Sequence, residues 1–289
     1  MKSTAIITAF KEQKTIQKAI LSISNQKIAD EIIVIAPDDE TLNEAKKLKL
    51  KNLVLLQDPG EGKPTAMNLA VAKAKGDIIF FTDGDVYIGE NSLQPMLEKF
   101  NNKKTGAVTG HPISINNKKT MLGFWSYLLT NIADERRKTA LKKNKRFFCS
   151  GYFFAIKKNL FPTLAPEILS EDGLISHNVY EKGHKIIYCP ESKVYIKYPT
   201  NINDWIIQKR RSTGGYNQIK KISGAEIRSF KKESAGGFSL LKYINTPREM
   251  FYLITLFSTR LYLWALIYKD INLKKKSHKE IWLRVESTK

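Results

Sequence analysis

The segment DIIFFTDGDVY, residues 77–87, decides how this chain folds. Its apolar run, 78–81, predicts a buried β-strand, and Thr82, Asp83, Gly84 and Asp85 follow without a break. In open α/β sheets, ligands bind outside the carboxyl ends of the strands. Two carboxylates one glycine apart supply hard oxygen ligands, which suit Mg²⁺ or Mn²⁺ bridged to a diphosphate. The alternative is a polar β-turn, because Asp-Gly is a common turn pair.

Short apolar runs alternate with helical patterns on the amino-terminal side of this segment. Strands are predicted over residues 5–10, 31–36, 53–56 and 77–82. Helices are predicted over residues 12–25, 41–50 and 64–75. This alternation is typical of βαβ units, and it predicts an α/β fold with a largely parallel sheet.

Length, charge and cysteine content narrow the class of protein. The 289 residues, 42% of them hydrophobic, fit one large α/β domain with an appendage. An excess of Lys and Arg (48) over Asp and Glu (28) gives a net charge of +20 and predicts an anionic partner: nucleic acid, an acidic membrane surface or a phosphorylated substrate. We expect Cys149 and Cys189 to be reduced and buried, with one disulfide as the alternative. No signal-peptide pattern opens the sequence, so a cytosolic body is expected.

Six segments, taken in order, carry a resemblance to a known family. They are TAFKEQKTIQKAILSISNQ (8–26), EIIVIAPDDET (31–41), GEGKPTAMNLAVAKAKGDIIFFTDGDVY (60–87), CSGYFFAIKKNLF (149–161), SEDGLIS (170–176) and QKRRSTGGY (208–216). Together they resemble the family 2 glycosyltransferases of the GT-A fold. The resemblance implies a Rossmann-like, mostly parallel central sheet with flanking helices. It covers roughly residues 3–220, so we expect a catalytic domain over residues 1–220. A helical membrane-associated region is expected over 221–289.

The resemblance also implies how a nucleotide-diphosphate sugar and its metal are bound. Asp83 would lie toward the nucleotide, and Asp85 would bind Mg²⁺ or Mn²⁺ with help from Asp83. At the end of the second strand, Asp38 is preferred over Asp39 as a contact of the base. The remaining donor contacts implied by the family are Ala9, Phe10, Glu12 and Lys63. For Lys63, the alternative is a solvated lysine at the start of a helix.

The segments after residue 149 resemble the family's catalytic and acceptor motifs. An inverting transfer needs one base to take the proton of the acceptor hydroxyl, and the resemblance implies Asp172 as this base with Glu171 in support. The alternative is a helix start that Ser170 caps. Gln208 and Arg211 match a Gln-X-X-Arg-Trp signature for the leaving diphosphate or the acceptor, although Ser212 replaces the tryptophan and speaks against polymerisation. Gly151 and Tyr152 are further candidate contacts of donor or acceptor.

Two segments are apolar enough to meet a membrane. Residues 121, 124, 125, 128, 129 and 132 share one helical face, and seven basic residues follow between 136 and 146. This is typical of a helix in an anionic interface, with a core helix as the alternative. Residues 250–268 are nearly long enough to span a bilayer. Because Arg260 lies at their centre and positive charge flanks both ends, up to Lys274–Lys276, a surface-lying or re-entrant segment is favoured over a span.

These observations predict a membrane-associated inverting glycosyltransferase. Its expected partners are a nucleotide-diphosphate sugar, a lipid-linked or saccharide acceptor and an anionic membrane surface. We expect it on the cytoplasmic side of the cell membrane, peripheral or re-entrant. The alternatives are a transferase for a soluble acceptor docked to membrane, and a non-catalytic basic protein that binds membrane or nucleic acid. Nucleic acid is not expected, because no helix-turn-helix, zinc or RNA-binding signature is present.

Overall fold

A computed structural model of the chain, which describes residues 1–223, 237–269 and 287–288, contains a single eight-stranded mixed sheet in that part of the chain. The strands are β1 (Ser3–Thr8), β2 (Glu31–Ala36), β3 (Leu53–Gln57), β4 (Ile78–Asp83), β5 (Tyr87–Ile88), β6 (Thr105–Ser114), β7 (Phe153–Lys157) and β8 (Lys185–Ile196). The first six α-helices are α1 (Ile16–Ser24), α2 (Asp39–Lys46), α3 (Lys63–Lys73), α4 (Leu93–Lys99), α5 (Met121–Lys142) and α6 (Glu171–Glu181). The last two are α7 (Ile202–Ser223) and α8 (Pro247–Tyr268), and short 3-10 helices cover Lys158–Leu160 and Gly237–Tyr243.

The strand order is β3-β2-β1-β4-β7-β6-β8-β5. The predicted parallel half is confirmed, because β1, β2, β3 and β4 pair in parallel. In the described chain, β5 and β7 run opposite to the other strands, since β7 pairs antiparallel with β4 and β6, and β5 pairs antiparallel with β8. β6 and β8 pair in parallel, so most of the sheet runs one way, as predicted.

Each face of the sheet is covered by helices because successive residues of a strand point to opposite sides. Ala5 and Ile7 of β1 pack in one cluster with apolar residues of α1, α2 and α4. Ile6, between them, packs in a second cluster with residues of α3 and α6. Cys149 and Cys189 are buried free thiols in these two clusters, which confirms the expectation of reduced cysteines.

The first loop is longer than the sequence pattern predicts. The predicted strand over 5–10 ends at Thr8, and the predicted helix over 12–25 begins at Ile16. Lys11 has a left-handed backbone with φ of 54°. The backbone N–H of Glu12 donates to the Thr41 hydroxyl at 2.8 Å. This tertiary bond holds residues 9–15 as a loop at the carboxyl end of the sheet.

The apolar face of α5 is buried inside the protein, so the prediction that it lies in a membrane interface is wrong for this face. Trp125 is fully buried, its ring lies 5.2 Å from that of Trp205, and its Nε1 donates to the Tyr252 carbonyl at 2.7 Å. These contacts belong to a third cluster in which α5, α7 and α8 bury Leu122, Phe124, Leu128, Ile132, Leu253, Leu256, Leu263 and Ile267. The face that looked free in the sequence therefore has protein partners.

The C-terminal region is joined to the catalytic domain by these helices. The expected domain boundary at residue 220 lies inside α7. α8 has the length and mean hydropathy (1.5) of a membrane-crossing helix. Of its most apolar stretch of 18 residues, 22% is buried inside the protein. Lys274–Lys276 of the predicted basic flank lie outside the described residues.

Candidate active site

A cleft of about 1420 Å³ opens at the carboxyl ends of β1 and β4. Thr8 and Asp83 line it from these strand ends, and the first turn of α6 lines it from across the cleft. Residues of α5, α7 and α8 extend the wall away from the sheet. The cleft therefore lies where an open α/β sheet places its ligand, and it continues into the helical region.

The DGD segment is a tight turn against the first loop. A Cβ added at Gly84 would lie 2.2 Å from Glu12 Oε2 and 2.9 Å from Ala9 Cβ, so only glycine fits there. The Thr8 hydroxyl donates to Asp83 Oδ1 at 3.0 Å. Both readings of this segment from the sequence hold together: a β-turn is present, and it directs the carboxylates of Asp83 and Asp85 to the lining of the cleft.

Lys63 links the end of β4 to the start of α6. Its Nζ lies 2.7 Å from Asp83 Oδ1 and 2.9 Å from Glu171 Oε1. The side chains of Lys63, Asp83 and Glu171 are only 28%, 24% and 15% exposed. Burial opposes the ammonium charge, but the two carboxylates outweigh it and raise the pKa of Lys63 above its ordinary value. Lys63 is thus a partly buried bridge between two carboxylates and not a solvated helix-start lysine.

Three hydrogen bonds hold the carboxylate of Asp172. The Ser170 hydroxyl and the Gly173 N–H donate to Oδ1, each at 2.8 Å, and the Gly151 N–H donates to Oδ2 at 3.1 Å. Ser170 occupies the N-cap position of α6, but its hydroxyl bonds this carboxylate instead of a backbone N–H. Burial raises the pKa of Asp172, and the negative charge of Glu171 raises it further.

The predicted α7 residues line the same cleft. Gln208 Oε1 is buried and has no hydrogen-bond partner among the described residues, which is unusual for a buried carbonyl oxygen. Burial raises the pKa of Tyr152 to about 12, and the charges of Arg211 and Asp85 both act on this phenol. Tyr152 also packs edge-on against Tyr198, with ring centroids 5.9 Å apart. α7 therefore contributes a cation and an unpaired acceptor near the carboxylates of β4.

The structure separates the predicted donor contacts into two groups. Ala9, Phe10 and Glu12 line the cleft as expected. Asp38 caps α2 by accepting from Thr41 N and Oγ1, also accepts from Lys11 N, and is not among the residues that line the cleft.

Asp58 lines the cleft, although it was not predicted as a site residue from the sequence. It is 8% exposed and accepts from the Gly60 N–H at 2.8 Å. Burial raises the pKa of its carboxyl group. Its position immediately after β3 was the available signal, because polar residues at parallel strand ends face the ligand side of the sheet.

The donor set at the DGD turn fits a hard divalent cation. Mg²⁺ is usually bound by one or two carboxylates together with substrate phosphates, and Asp83 and Asp85 supply two carboxylates. No cluster of three or more His, Cys, Asp or Glu residues suited to a metal occurs in the described chain. The protein alone would therefore give an incomplete shell, which phosphate oxygens and water would complete.

An open α/β sheet that gathers carboxylates at its strand ends has its ligand site at that edge. The family model described as "Glycosyl transferase family 2" matches residues 4–164, more than half of the chain, and the chain belongs to that family. This confirms the resemblance carried by the sequence motifs.

Two curated relatives are O-antigen chain rhamnosyltransferases. The chain is 26% identical to WbaN of Salmonella anatum over 178 residues, which cover 56% of this chain and 54% of that protein. It is 26% identical to RfbN of Salmonella typhimurium over 211 residues, covering 67% and 66% of the two chains. The matched regions thus span from about half to two thirds of the length of these relatives.

Solved structures share the fold. A mannosyltransferase, PcManGT from Pyrobaculum calidifontis in complex with GDP-Man and Mn²⁺, superposes with a TM-score of 0.65 at 17% identity, covering 95% of this chain and 88% of that one. TarS 1–349 from S. aureus in complex with UDP-GlcNAc superposes with a TM-score of 0.52 at 19% identity, covering 70% and 60%. The predicted GT-A fold is confirmed.

Proposed function

We propose that this protein is an inverting glycosyltransferase that moves a sugar from a nucleotide-diphosphate donor to an acceptor hydroxyl, with Asp172 as the base. The observation that carries the proposal is the Lys63 bridge between Asp83 and Glu171. It joins a strand-end carboxylate suited to a donor complex to a partly buried carboxylate pair at the start of α6. Two separate carboxylate sites in one cleft are what a metal-assisted displacement with a separate base requires.

Asp172 has the environment of a base. Its raised pKa increases its proton affinity, and its hydrogen bonds fix its orientation. Oδ2 accepts one of these bonds, from Gly151, so it retains acceptor capacity for the incoming proton. As the acceptor O–H gives its proton to this carboxylate, the oxygen forms a bond to the anomeric carbon. The bond from that carbon to the diphosphate breaks on the opposite side, which inverts the configuration.

The donor end of the cleft is assigned to the carboxyl end of the sheet. Asp85, supported by Asp83, would hold Mg²⁺ or Mn²⁺, which supplies positive charge to the departing diphosphate when it is bound. Both metal and nucleotide sugar are present in the complex of the similar mannosyltransferase. Gln208 and Arg211 approach the same diphosphate, because a guanidinium binds phosphate oxygens in a charge-assisted manner. Phe10 and Asp58 are proposed for the nucleoside, with Asp58 favoured over Asp38 by its place in the cleft lining.

The proposed acceptor is lipid-linked, and α8 is proposed to hold the enzyme on the membrane. The exposed large side chains of α8 are Met250, Phe251, Ile254, Phe257, Leu261, Tyr262 and Tyr268. No charged residue interrupts this face between Met250 and Tyr268, because Arg260 lines the cleft. The opposite side of α8 packs on α5 and α7 along most of its length, which supports a surface-lying helix over a separate span.

Release of nucleoside diphosphate tests this proposal. The full chain is incubated with a panel of UDP-, GDP- and dTDP-sugars and Mn²⁺ or Mg²⁺, with lipid-phosphate-linked and free saccharide acceptors in separate arms. We expect one donor to turn over, and Asp172→Asn to lower the transfer rate by about 10²-fold or more with donor binding nearly unchanged. Glu98→Gln, which neutralises an exposed carboxylate on α4, is the matched control and leaves the rate unchanged. Undiminished transfer in Asp172→Asn would move the role of base to another residue.

A further inference from the structure

One face of α5 forms a long wall of the cleft and changes character along its length. Most of the residues it contributes recur every three or four positions, and the full set is Leu129, Thr130, Ile132, Ala133, Arg136, Arg137 and Ala140. The first part of this wall is apolar, and the later part is basic. About 12 Å separates Leu129 from Arg137 along the helix axis, at 1.5 Å per residue. The wall therefore matches a ligand with an anionic end and an apolar end.

Arg137 has a donor atom that lacks a partner. Its Nη1 is buried and makes no hydrogen bond within the described part of the chain. The two acids that precede Arg137 on α5 are already engaged. The Tyr188 hydroxyl donates to Asp134 Oδ1 at 2.7 Å and Lys138 Nζ to Asp134 Oδ2 at 2.8 Å. Glu135 accepts from Lys242 and from the Tyr243 hydroxyl. Buried guanidinium N–H groups are normally hydrogen-bonded. An anionic group in the cleft would satisfy this one.

α8 forms the apolar wall opposite α5, and part of this wall reaches the protein surface. Its contributions to the cleft are Leu256, Phe257, Arg260, Leu263 and Trp264. Phe257 is 39% exposed and belongs both to the cleft lining and to the exposed apolar face of α8. An alkyl chain leaving the cleft past Phe257 would thus meet the face proposed to contact lipid.

Charge divides the cleft into two ends. The strand ends bring acids, including Asp58, Asp83 and Asp85, whereas the described residues of α5 and α8 that line the cleft include no acid. Arg211 acts on the same phenol as Asp83 and Asp85, at the donor end. The charge of Arg137 acts on Cys149, as does that of Asp172, and it also acts on Tyr198. Arg137 lines the α5 side of the cleft and lies near Cys149, a group that the charge of the proposed base also reaches.

We propose that the α5–α8 wall binds the acceptor as a lipid phosphate, with the phosphate on Arg137 and the alkyl chain along Leu129, Ile132 and Phe257. The inference rests on the proposed transferase function, because that function assigns the acceptor to the side of Asp172. A charge-assisted bond to Nη1 fixes the headgroup, and the apolar residues select a chain over free phosphate. The acceptor hydroxyl, carried on or beyond the phosphate, is then presented to the base.

Binding of alkyl phosphates to the full chain without any donor tests the site. Ethyl, butyl, hexyl and octyl phosphate, inorganic phosphate and octanol are titrated below micelle formation while tryptophan fluorescence is followed, because Trp264 lines the cleft. Affinity should rise about fourfold per added methylene until the apolar wall is filled. Arg137→Gln should weaken octyl phosphate about ten- to a hundredfold and leave octanol unchanged. Lys142→Gln, which removes the same charge at an exposed position of α5, is the control and should leave all affinities unchanged.

Each remaining outcome decides the question. Inorganic phosphate that binds as tightly as octyl phosphate, or an equal loss in Lys142→Gln, overturns the proposal. If Arg137→Gln does not fold by circular dichroism, Leu129→Ser decides: it should weaken octyl phosphate and spare ethyl phosphate, and equal effects on both overturn the site. Donor turnover onto a saccharide without alkyl phosphate binding keeps the transferase and rejects this site. Alkyl phosphate binding that depends on Arg137, without turnover of any donor, keeps this site and rejects the transferase function.

Discussion

Replacing two exposed side chains of α8 should detach the protein from anionic membranes without unfolding it. Ile254 and Leu261 are 56% and 58% exposed and lie two turns apart on the same face. Full burial of such a side chain is worth about 1.5–3 kcal/mol, and slightly more than half of each is available to lipid, so the pair contributes about 2–3 kcal/mol. The double variant Ile254→Asn, Leu261→Asn should therefore lower membrane partitioning about 30- to 150-fold.

The assay is co-sedimentation with vesicles of mixed neutral and anionic lipid, over a range of lipid concentration and salt. A matched control carries Leu21→Asn and Leu69→Asn, two exposed leucines of α1 and α3. Both double variants should melt near the wild-type temperature, because exposed side chains contribute little to the free energy of unfolding. Wild-type partitioning in the α8 variant, or an equal loss in the control, would refute the assignment of α8 as the lipid-contacting face.

Three further outcomes are expected. Burial and the charge of Glu171 raise the pKa of Asp172, so the transfer rate should begin to fall at a pH above the usual range of an Asp pKa. Glu171→Gln should shift this fall to lower pH. If the fall does not shift, it belongs to the titration of another group. Lys63→Met leaves two partly buried carboxylates without their shared cation, so kcat/KM should drop at least about tenfold, whereas a rate like wild type would contradict the bridge. Burial raises the pKa of Cys149 to about 12 and that of Cys189 to about 11, so iodoacetamide at pH 8 should label both thiols slowly in native protein and rapidly in urea, as mass spectrometry would measure.

The first half of the sheet could be predicted from the sequence because the patterns that mark its strands are local. The runs 31–36 and 53–56 predicted β2 and β3 to within one residue at either end, since each is a short apolar segment between turn residues. The position of Asp83 at a strand end follows from the same local pattern. Family membership could also be predicted, because the motifs occur in order over more than half of the chain.

Contacts between distant residues decided what the sequence left open. The sequence offered two roles for the apolar face of α5, and packing against α7 and α8 chose the core. It favoured Asp38 over Asp39 for the donor, and the fold adds that Asp38 caps α2 and accepts hydrogen bonds from Thr41 and Lys11. No local pattern marks Arg137 as different from its basic neighbours, since only the fold leaves its Nη1 buried without a partner among the described residues.

Local periodicity determined which segments of this chain become strands and helices and which carboxylates end a strand. The tertiary structure alone decided that Lys63 lies between Asp83 and Glu171, which are 20 and 108 residues further along the chain. It also decided that β7 lies between β4 and β6 and runs antiparallel to both. The physical reason is that periodicity reports which face of an element is apolar, whereas ion pairs and strand order depend on which elements meet once those faces are buried together.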